Sequence, residues 1–555
     1  LLCIEGLSVS IGGSCILNDL SLRVREGEIL GLVGASGSGK SMTALAILRL
    51  LPAAASVRGV VRLRGETLTS MTGSQMRAVR GRQIGMVFQE PMTALNPLMR
   101  IGDQVAETVR VHRRVSANEA RRAARQALDE VGLSGEQGAL DRLPYELSGG
   151  QRQRVAIAMA MVMAPALLIA DEPTTALDVI TQAQVLVLLQ DLVRRRGLGC
   201  LLITHDLAVV SQVCDRVEVM QSGEIVEGGA TAALIRDARH PITRALLAAA
   251  SLTPKPRVAA RPVSAAGGAT AGGTSAGSAG AAPSRVVLEA RAIVQEYPTQ
   301  RRSLWRAPAP LRALDGVSLS VHAGETVGLV GESGSGKSSL LRVLLALQTP
   351  RSGQVHLLGE AFSTARGATL RRLRRAIQGV FQDPYGSFDP RWTVRRLIAE
   401  PFFLLDSPPP AAEIEHRVAA VLEQVGLRAG DAARLPREFS GGQRQRIAIA
   451  RALITQPAVI VFDEAVSALD VLVRAQILAL LAELSSRLGL AYLFVTHDLH
   501  VIRAIADRIY VMRHGTMVED GATRDIFDSP RHPYTRALIE ATPVLRASPL
   551  PALST

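Results

Sequence analysis

Two short apolar runs, Ile29 to Val33 and Thr326 to Val330, each lead into a glycine-rich octapeptide and out again into an apolar stretch. Brief apolar runs bounded by turn residues predict buried strands of a parallel sheet, and the stretches that follow, Ser41 to Leu51 and Ser338 to Gln348, predict helices. A second pair of such strands, Leu167 to Ala170 and Val459 to Phe462, ends in consecutive acids. Between these strands the period changes to that of a helix. Ala117 to Val131 follows Ser116 and Glu119, which resemble a capping box, and Ile414, Val418, Val421, Leu422 and Val425 recur at helical spacing. Gly132 and Gly426 are placed to end those helices. Strands alternating with helices predict an α/β class. The longest uncharged apolar run, Val155 to Ala170, has 16 residues and contains Pro165. It is shorter than the roughly 20 residues a membrane span needs.

The pattern occurs twice. Gln151 and Gln443, Asp171 and Asp463, His205 and His497, and His240 and His532 all lie 292 positions apart. Lys40 and Lys337 lie 297 apart. So long a period means two whole domains rather than a solenoid, whose units run about 20 to 50 residues. The expected division is 1–255, a tether over 256–284 and 285–555. The tether is rich in Ala, Gly, Ser and Thr and has no apolar periodicity, which predicts a flexible linker.

A chain of 555 residues with 47% hydrophobic content is too long for one core and too apolar for disorder. Its formal net charge of +13 suits nucleic acid, an anionic membrane surface, acidic partner loops or simply a solvated face, and does not choose among them. Cys3, Cys15, Cys200 and Cys214 form no CxxC pair, so reduced thiols are expected, with no zinc or iron–sulfur centre. No secretory leader is read, and a start at Leu1 implies loss of the initiator methionine at least.

Charge becomes informative through lysine. Of 63 basic residues three are lysine, and two of these stand seventh in the octapeptides Gly34 to Ser41 and Gly331 to Ser338. The third, Lys255, borders the tether. In both octapeptides Gly34, Ser36, Gly37, Ser38, Gly39, Lys40 and Ser41, and Gly331, Ser333, Gly334, Ser335, Gly336, Lys337 and Ser338, satisfy the P-loop pattern. Backbone N–H groups there wrap phosphate oxygens, the lysine reaches between phosphates, and the last hydroxyl ligates Mg²⁺. A strand before and a helix after would put phosphate at a helix N-terminus.

Further elements follow in the same order in each half. They are Gln89 or Gln382 after a short strand, Ser148-Gly149-Gly150-Gln151 or Ser440-Gly441-Gly442-Gln443, and Asp171-Glu172 or Asp463-Glu464. Ala176-Leu177-Asp178 or Ala468-Leu469-Asp470, then His205 or His497, complete the series. On these motifs the chain resembles the ATP-binding cassette (ABC) ATPases over nearly its whole length outside the tether. The resemblance implies two tandem P-loop NTPase cassettes. Each would have a RecA-like α/β core, a small antiparallel β part and a helical subdomain.

It also implies roles. Asp171 and Asp463 would lie on the Mg²⁺ side together with Ser41, Gln89, Ser338 and Gln382. Glu172 and Glu464 would orient or deprotonate the attacking water, with His205 and His497 holding water and γ-phosphate in line. The Ser-Gly-Gly-Gln signatures would start helices and bind ATP opposite the other cassette's P-loop, with both composite sites competent. Tyr297 fits the family's adenine-stacking aromatic, whereas the first half offers Ile11.

The tails, Arg239 to Leu246 and Arg531 to Leu538, resemble the C-terminal extension of dipeptide, oligopeptide and nickel importer ATPases; the first departs at Ile242, where the second has Tyr534. The implied function is an ATPase powering uptake of peptides or related solutes. It would sit peripherally on the cytoplasmic face of the inner membrane with two permease subunits and an extracytoplasmic binding protein. Glu90 to Arg100 and Asp383 to Trp392 are the candidate partner contacts. No direct nucleic-acid contact is expected. A soluble tandem ABC protein acting on ribosomes or nucleic acid is the alternative that the basic charge keeps open, and an exporter ATPase is a third. The cargo is not written in this chain.

Overall fold

The apolar strands that precede the glycine-rich loops are the centres of two six-stranded sheets, in a computed structural model that describes residues 1–89, 94–133, 138–175, 177–251, 285–298, 310–383, 386–467 and 469–545. The tether over 256–284, Lys255, Ala176, Ala468 and parts of both candidate partner segments lie outside the described residues. The described residues fall into two compact units, one built mainly from Leu1–Ser251 and one from residues between Leu252 and Glu540.

In the first unit, β1 (Leu2–Ile11), β2 (Ser14–Val24), β4 (Ala55–Leu63) and β5 (Glu66–Thr67) form an antiparallel sheet in the order β2-β1-β4-β5. The larger sheet comprises β3 (Ile29–Val33), β6 (Ile84–Val87), β7 (Leu167–Asp171), β8 (Gly199–Thr204), β9 (Arg216–Gln221) and β10 (Glu224–Ala230), ordered β10-β9-β3-β8-β7-β6. Five of its strands are parallel and β10 pairs antiparallel with β9. Every residue of β3, β7 and β8 is buried, which is why these strands read as continuous apolar runs rather than as alternation. One sheet face packs against the antiparallel sheet and Ala44 and Ile47 of the P-loop helix. The other packs against helices that include Ile101–His112, Ala117–Glu130 and Gly149–Met161.

The second unit repeats the plan. β11 (Val286–Tyr297), β12 (Leu311–His322), β14 (Ser352–Leu357) and β15 (Glu360–Ala361) form the antiparallel sheet. β13 (Thr326–Val330), β16 (Ile377–Val380), β17 (Val459–Asp463), β18 (Ala491–Val495), β19 (Arg508–Arg513) and β20 (Thr516–Ala522) form the larger one, ordered β16-β17-β18-β13-β19-β20.

The capping box at Ser116 and Glu119 is present, and Gly132 and Gly426 follow their helices with φ of 76° and 74°. The P-loop helices are shorter than the apolar pattern predicts. They run Lys40–Ile47 and Lys337–Leu344, because Arg49 and Ala346 adopt left-handed conformations and turn the chain back. The 16-residue apolar run is divided between the helix Gly149–Met161 and β7. Among the described residues no helix is long and apolar enough to cross a membrane. The four cysteines are free thiols, and burial pushes the Cys200 thiol up to about 12.

Candidate active sites

Each P-loop leaves the C-terminal end of a central parallel strand, where open α/β sheets place their ligands. The loop can make its turn because Gly37 and Gly39 adopt φ of 79° and 105°, and Gly334 and Gly336 of 83° and 106°. At Gly34 a Cβ would sit 2.3 Å from the Met220 carbonyl oxygen, and at Gly331 it would sit 2.2 Å from that of Met512. Lys40 is 6% exposed and its Nζ donates to the carbonyls of Gly34 and Ala35 at 2.8 and 2.9 Å. Lys337 repeats this on Gly331 and Glu332 at 2.7 and 2.8 Å. Burial pulls the Lys40 ammonium below its ordinary range, while the charges of Glu172 and Asp171 oppose that pull. The hydroxyl Ser38 Oγ is buried without a hydrogen-bond partner among the described residues. A cradle of small residues with a buried cation and an orphan hydroxyl fits a phosphate chain.

At the end of β7, Ser41 Oγ donates to Asp171 Oδ1 at 3.2 Å. A hydroxyl beside a carboxylate is an oxygen donor set suited to Mg²⁺. Burial, reinforced by Glu172, raises the Asp171 carboxyl. Burial and Glu464 push that of Asp463 up to about 6.

Glu172 and Glu464 hold backbone conformations at φ of 46° and 47°, which non-glycine residues seldom adopt. The turn aims each carboxylate at the histidine that follows the neighbouring strand. Glu172 Oε1 lies 3.1 Å from His205 Nδ1, and Glu464 Oε1 lies 3.1 Å from His497 Nδ1. Burial pushes both carboxyls up, but the histidine hydrogen bonds and charges outweigh it and hold them below the ordinary carboxylate range. With the glutamate ionised, Nδ1 carries the shared proton and Nε2 is the ring atom left for a ligand.

The two glutamates differ in their remaining partners. Glu172 Oε2 also accepts from Gln89 Nε2 at 2.9 Å and from Thr175 Oγ1 at 3.0 Å. Gln382 makes no such bond among the described residues, and the Oγ of Ser467, which stands where the first unit has Thr175, is buried and unpartnered. Sequence reasoning missed Thr175, as well as Thr204 and Thr496, whose hydroxyls accept from the backbone N–H of Asp206 and Asp498 at 3.1 and 3.0 Å and fix the histidine turn. The recurrence of Thr204 as Thr496, 292 positions on, was the available signal.

The signatures start helices as their pattern predicts. Ser148 and Ser440 are N-caps, with Ser148 Oγ accepting from Gln151 N–H at 3.2 Å and Gln151 Oε1 from Ser148 N–H at 2.9 Å. Gln443 does the same for Ser440. Gly149 and Gly441 are the first helical residues. At Gly150 a Cβ would lie 2.1 Å from Thr181 Cγ2, and at Gly442 it would lie 2.4 Å from Val473 Cγ1, so both second glycines are required by close packing. Among the described residues, Ser148, Gly149 and Gly150 do not belong to the hydrogen-bonded group formed by Gln89, Glu172, Thr175 and His205. Tyr297 ends β11 with its hydroxyl donating to Gln348 Oε1 at 2.9 Å. Ile11 ends β1 and packs, as does Leu51, against an apolar cluster.

Residues 17–175 and 314–467 match the ABC transporter family. The chain belongs to that family. Residues 518–552 also match the oligopeptide/dipeptide transporter C-terminal region. The chain is 45% identical to the glutathione import ATP-binding protein GsiA of Salmonella choleraesuis (strain SC-B67) over 546 residues, 95% of this chain and 86% of that relative. It is 44% identical to GsiA of Escherichia coli O157:H7 over 548 residues, 96% of this chain and 87% of the relative. As an ABC transporter ATP-binding subunit with two cassettes, it hydrolyses ATP with Mg²⁺ as cofactor. Its fold class is that of two ABC cassettes.

Proposed function

We propose that this chain is the energy-coupling subunit of an importer for glutathione or related short peptides. It would work peripherally on the cytoplasmic face of the membrane with two permease subunits and an extracytoplasmic binding protein. The observation that carries the reading is 45% identity to a glutathione import ATPase across 95% of the chain. The tail of the first cassette supports it independently. Glu227 accepts from the backbone N–H groups of Arg239 and His240 at 2.7 and 3.1 Å, as Glu519 does from Arg531 and His532 at 2.7 and 3.0 Å. Leu98, 89% exposed within the first candidate partner segment, is an apolar side chain available to a permease.

In each cassette the P-loop amides and lysine would bind the ATP phosphates. Mg²⁺, when bound, supplies charge neutralisation at the phosphates, and Ser41, Asp171 and Gln89, or Ser338, Asp463 and Gln382, would hold it. Glu172 and Glu464, kept ionised by their histidines, would take the proton of the attacking water, and His205 and His497 would position that water through Nε2. The Ser148 and Ser440 helix N-termini, with Gly149, Gly150, Gln151, Gly441, Gly442 and Gln443, would offer a second anion-binding surface.

Adenine contact separates the two sites. Tyr297 offers a ring and Ile11 does not, and aromatic stacking contributes about 0.5–1.5 kcal/mol. With Lys337 replaced, the first site should bind ATP at least about twofold more weakly than the second does with Lys40 replaced. Equal affinities would remove the role given to Tyr297.

The assembly is tested by mass spectrometry of what co-purifies with the tagged, hydrolysis-dead chain from detergent-solubilised membranes. Two multi-spanning permeases and a solute-binding protein are expected. Ribosomal proteins or nucleic acid in their place would support the soluble alternative.

A further inference from the structure

The two tails share one scaffold but differ at the residue that points back to the nucleotide loop. In the second cassette His532 Nδ1 accepts from the Tyr534 backbone N–H at 3.1 Å, and in the first His240 Nδ1 accepts from Ile242 N–H at 3.3 Å. The helices that follow, Pro533–Ala541 and Pro241–Ala250, begin at equivalent prolines. Tyr534 is 5% exposed, and its hydroxyl accepts from the backbone N–H of Glu332 at 2.8 Å. Glu332 is the second residue of the P-loop. The carbonyl of that same residue accepts from Lys337 Nζ at 2.8 Å.

One P-loop residue is therefore held through both of its backbone polar groups, by the tail through its N–H and by the phosphate-binding lysine through its C=O. The surroundings keep the tyrosine in place. The Arg513 guanidinium lies 4.8 Å from the Tyr534 ring centroid, and the Glu332 carboxylate lies 3.9 Å from Arg513 and 4.0 Å from His514. The first cassette has Ala35, Gln221, Ser222 and Ile242 at the corresponding positions, so it has neither the hydroxyl nor the charges that frame it.

We propose that Tyr534 is a positioning residue for the second nucleotide site, by which the C-terminal extension pre-sets the P-loop for phosphate. This rests on reading the Lys337 loop as an ATP site. When phosphate arrives, Lys337 exchanges carbonyl bonds for phosphate oxygens, and a loop held at Glu332 loses less freedom in that exchange. Ile242 offers the first P-loop no such hydroxyl, so this tether belongs to the second site.

The test is Tyr534→Phe in the full chain, which removes the hydroxyl and keeps the ring. Binding of ATP and of inorganic triphosphate is measured at the second site with Lys40→Met in the background, and at the first with Lys337→Met. The expected result is a three- to tenfold weaker second site for both ligands, about the effect of one hydrogen bond, with the first site unchanged and the melting temperature lowered by no more than a few degrees. Triphosphate separates this from Tyr297→Ile, whose effect should need the base. Amide hydrogen exchange of the nucleotide-free chain should show the peptide containing Glu332 less protected in the variant. Unchanged affinity together with unchanged exchange at Glu332 would overturn the proposal, as would equal weakening of both sites. If the Lys40→Met chain with Tyr534 intact bound no ATP, the assignment of the second site itself would fail.

Discussion

Replacing Glu172 and Glu464 together by glutamine should lower ATP turnover by about 10²-fold or more while leaving nucleotide binding within about threefold, because general-base assistance contributes roughly 10²–10⁴ to rate. The amide keeps the size of the carboxylate and can still accept from His205 Nδ1 or His497 Nδ1, both now at 3.1 Å. What it loses is the basic oxygen. The P-loop lysines donate to the backbone carbonyls of residues 34, 35, 331 and 332, and Lys337 also to Ser335 Oγ at 3.5 Å, so their placement is set within their own loops. Binding and hydrolysis should therefore separate. Steady-state phosphate release and equilibrium binding of a fluorescent ATP analogue read the two quantities. Wild-type turnover in the double variant would show that the base is a different group. The left-handed backbone at both positions supports the assignment, since such conformations persist where surrounding structure over-determines them and gather at functional sites.

The second large effect is expected at the lysines. Lys40→Met and Lys337→Met should each weaken ATP binding at their own site by about 10- to 100-fold, the range expected for a charged hydrogen-bond donor worth roughly 1.5–3 kcal/mol. Both lysines are 6% exposed and their ammonium groups rest on carbonyl oxygens of their own loops, so each loop pre-positions a cation that phosphate then takes over. Methionine retains the stem and removes that cation. Arginine should not restore binding, because a planar guanidinium does not fit where a compact ammonium sits between two carbonyls 2.7 to 2.9 Å away. Titration of each single variant with nucleotide measures the loss. Arginine variants that bind ATP like wild type would contradict the reading of why lysine is kept at these two positions in so arginine-rich a chain.

Much of the architecture was legible because it is local. Strand, glycine-rich loop and helix around Lys40 and Lys337 are contiguous, and complete burial of β3 and β7 writes itself as an unbroken apolar run. The capping boxes at Ser116, Ser148 and Ser440 span four residues each and show as residue types at fixed offsets. Less legible were features that join distant segments or depend on backbone conformation. The positive φ of Glu172 carries no glycine to announce it. The end of the P-loop helix at Ile47 is set by a left-handed Arg49, whereas apolar periodicity continues to Leu51. The bond from Glu332 to Tyr534 spans 202 residues. The sequence marked this position only through Ile242, which departs where the second tail has Tyr534, and the fold supplied the tyrosine's partner.

The account as a whole is tested most directly by uptake. Cells lacking their own glutathione and peptide import, supplied with this chain and its co-purifying permeases and binding protein, would be given labelled glutathione and labelled di- and tripeptides. Accumulation of at least one labelled solute with the wild-type chain, and none above background with Glu172→Gln/Glu464→Gln, is the predicted result. Equal accumulation with both chains would contradict ATP-driven import by this subunit, and accelerated loss of preloaded solute would identify an exporter instead.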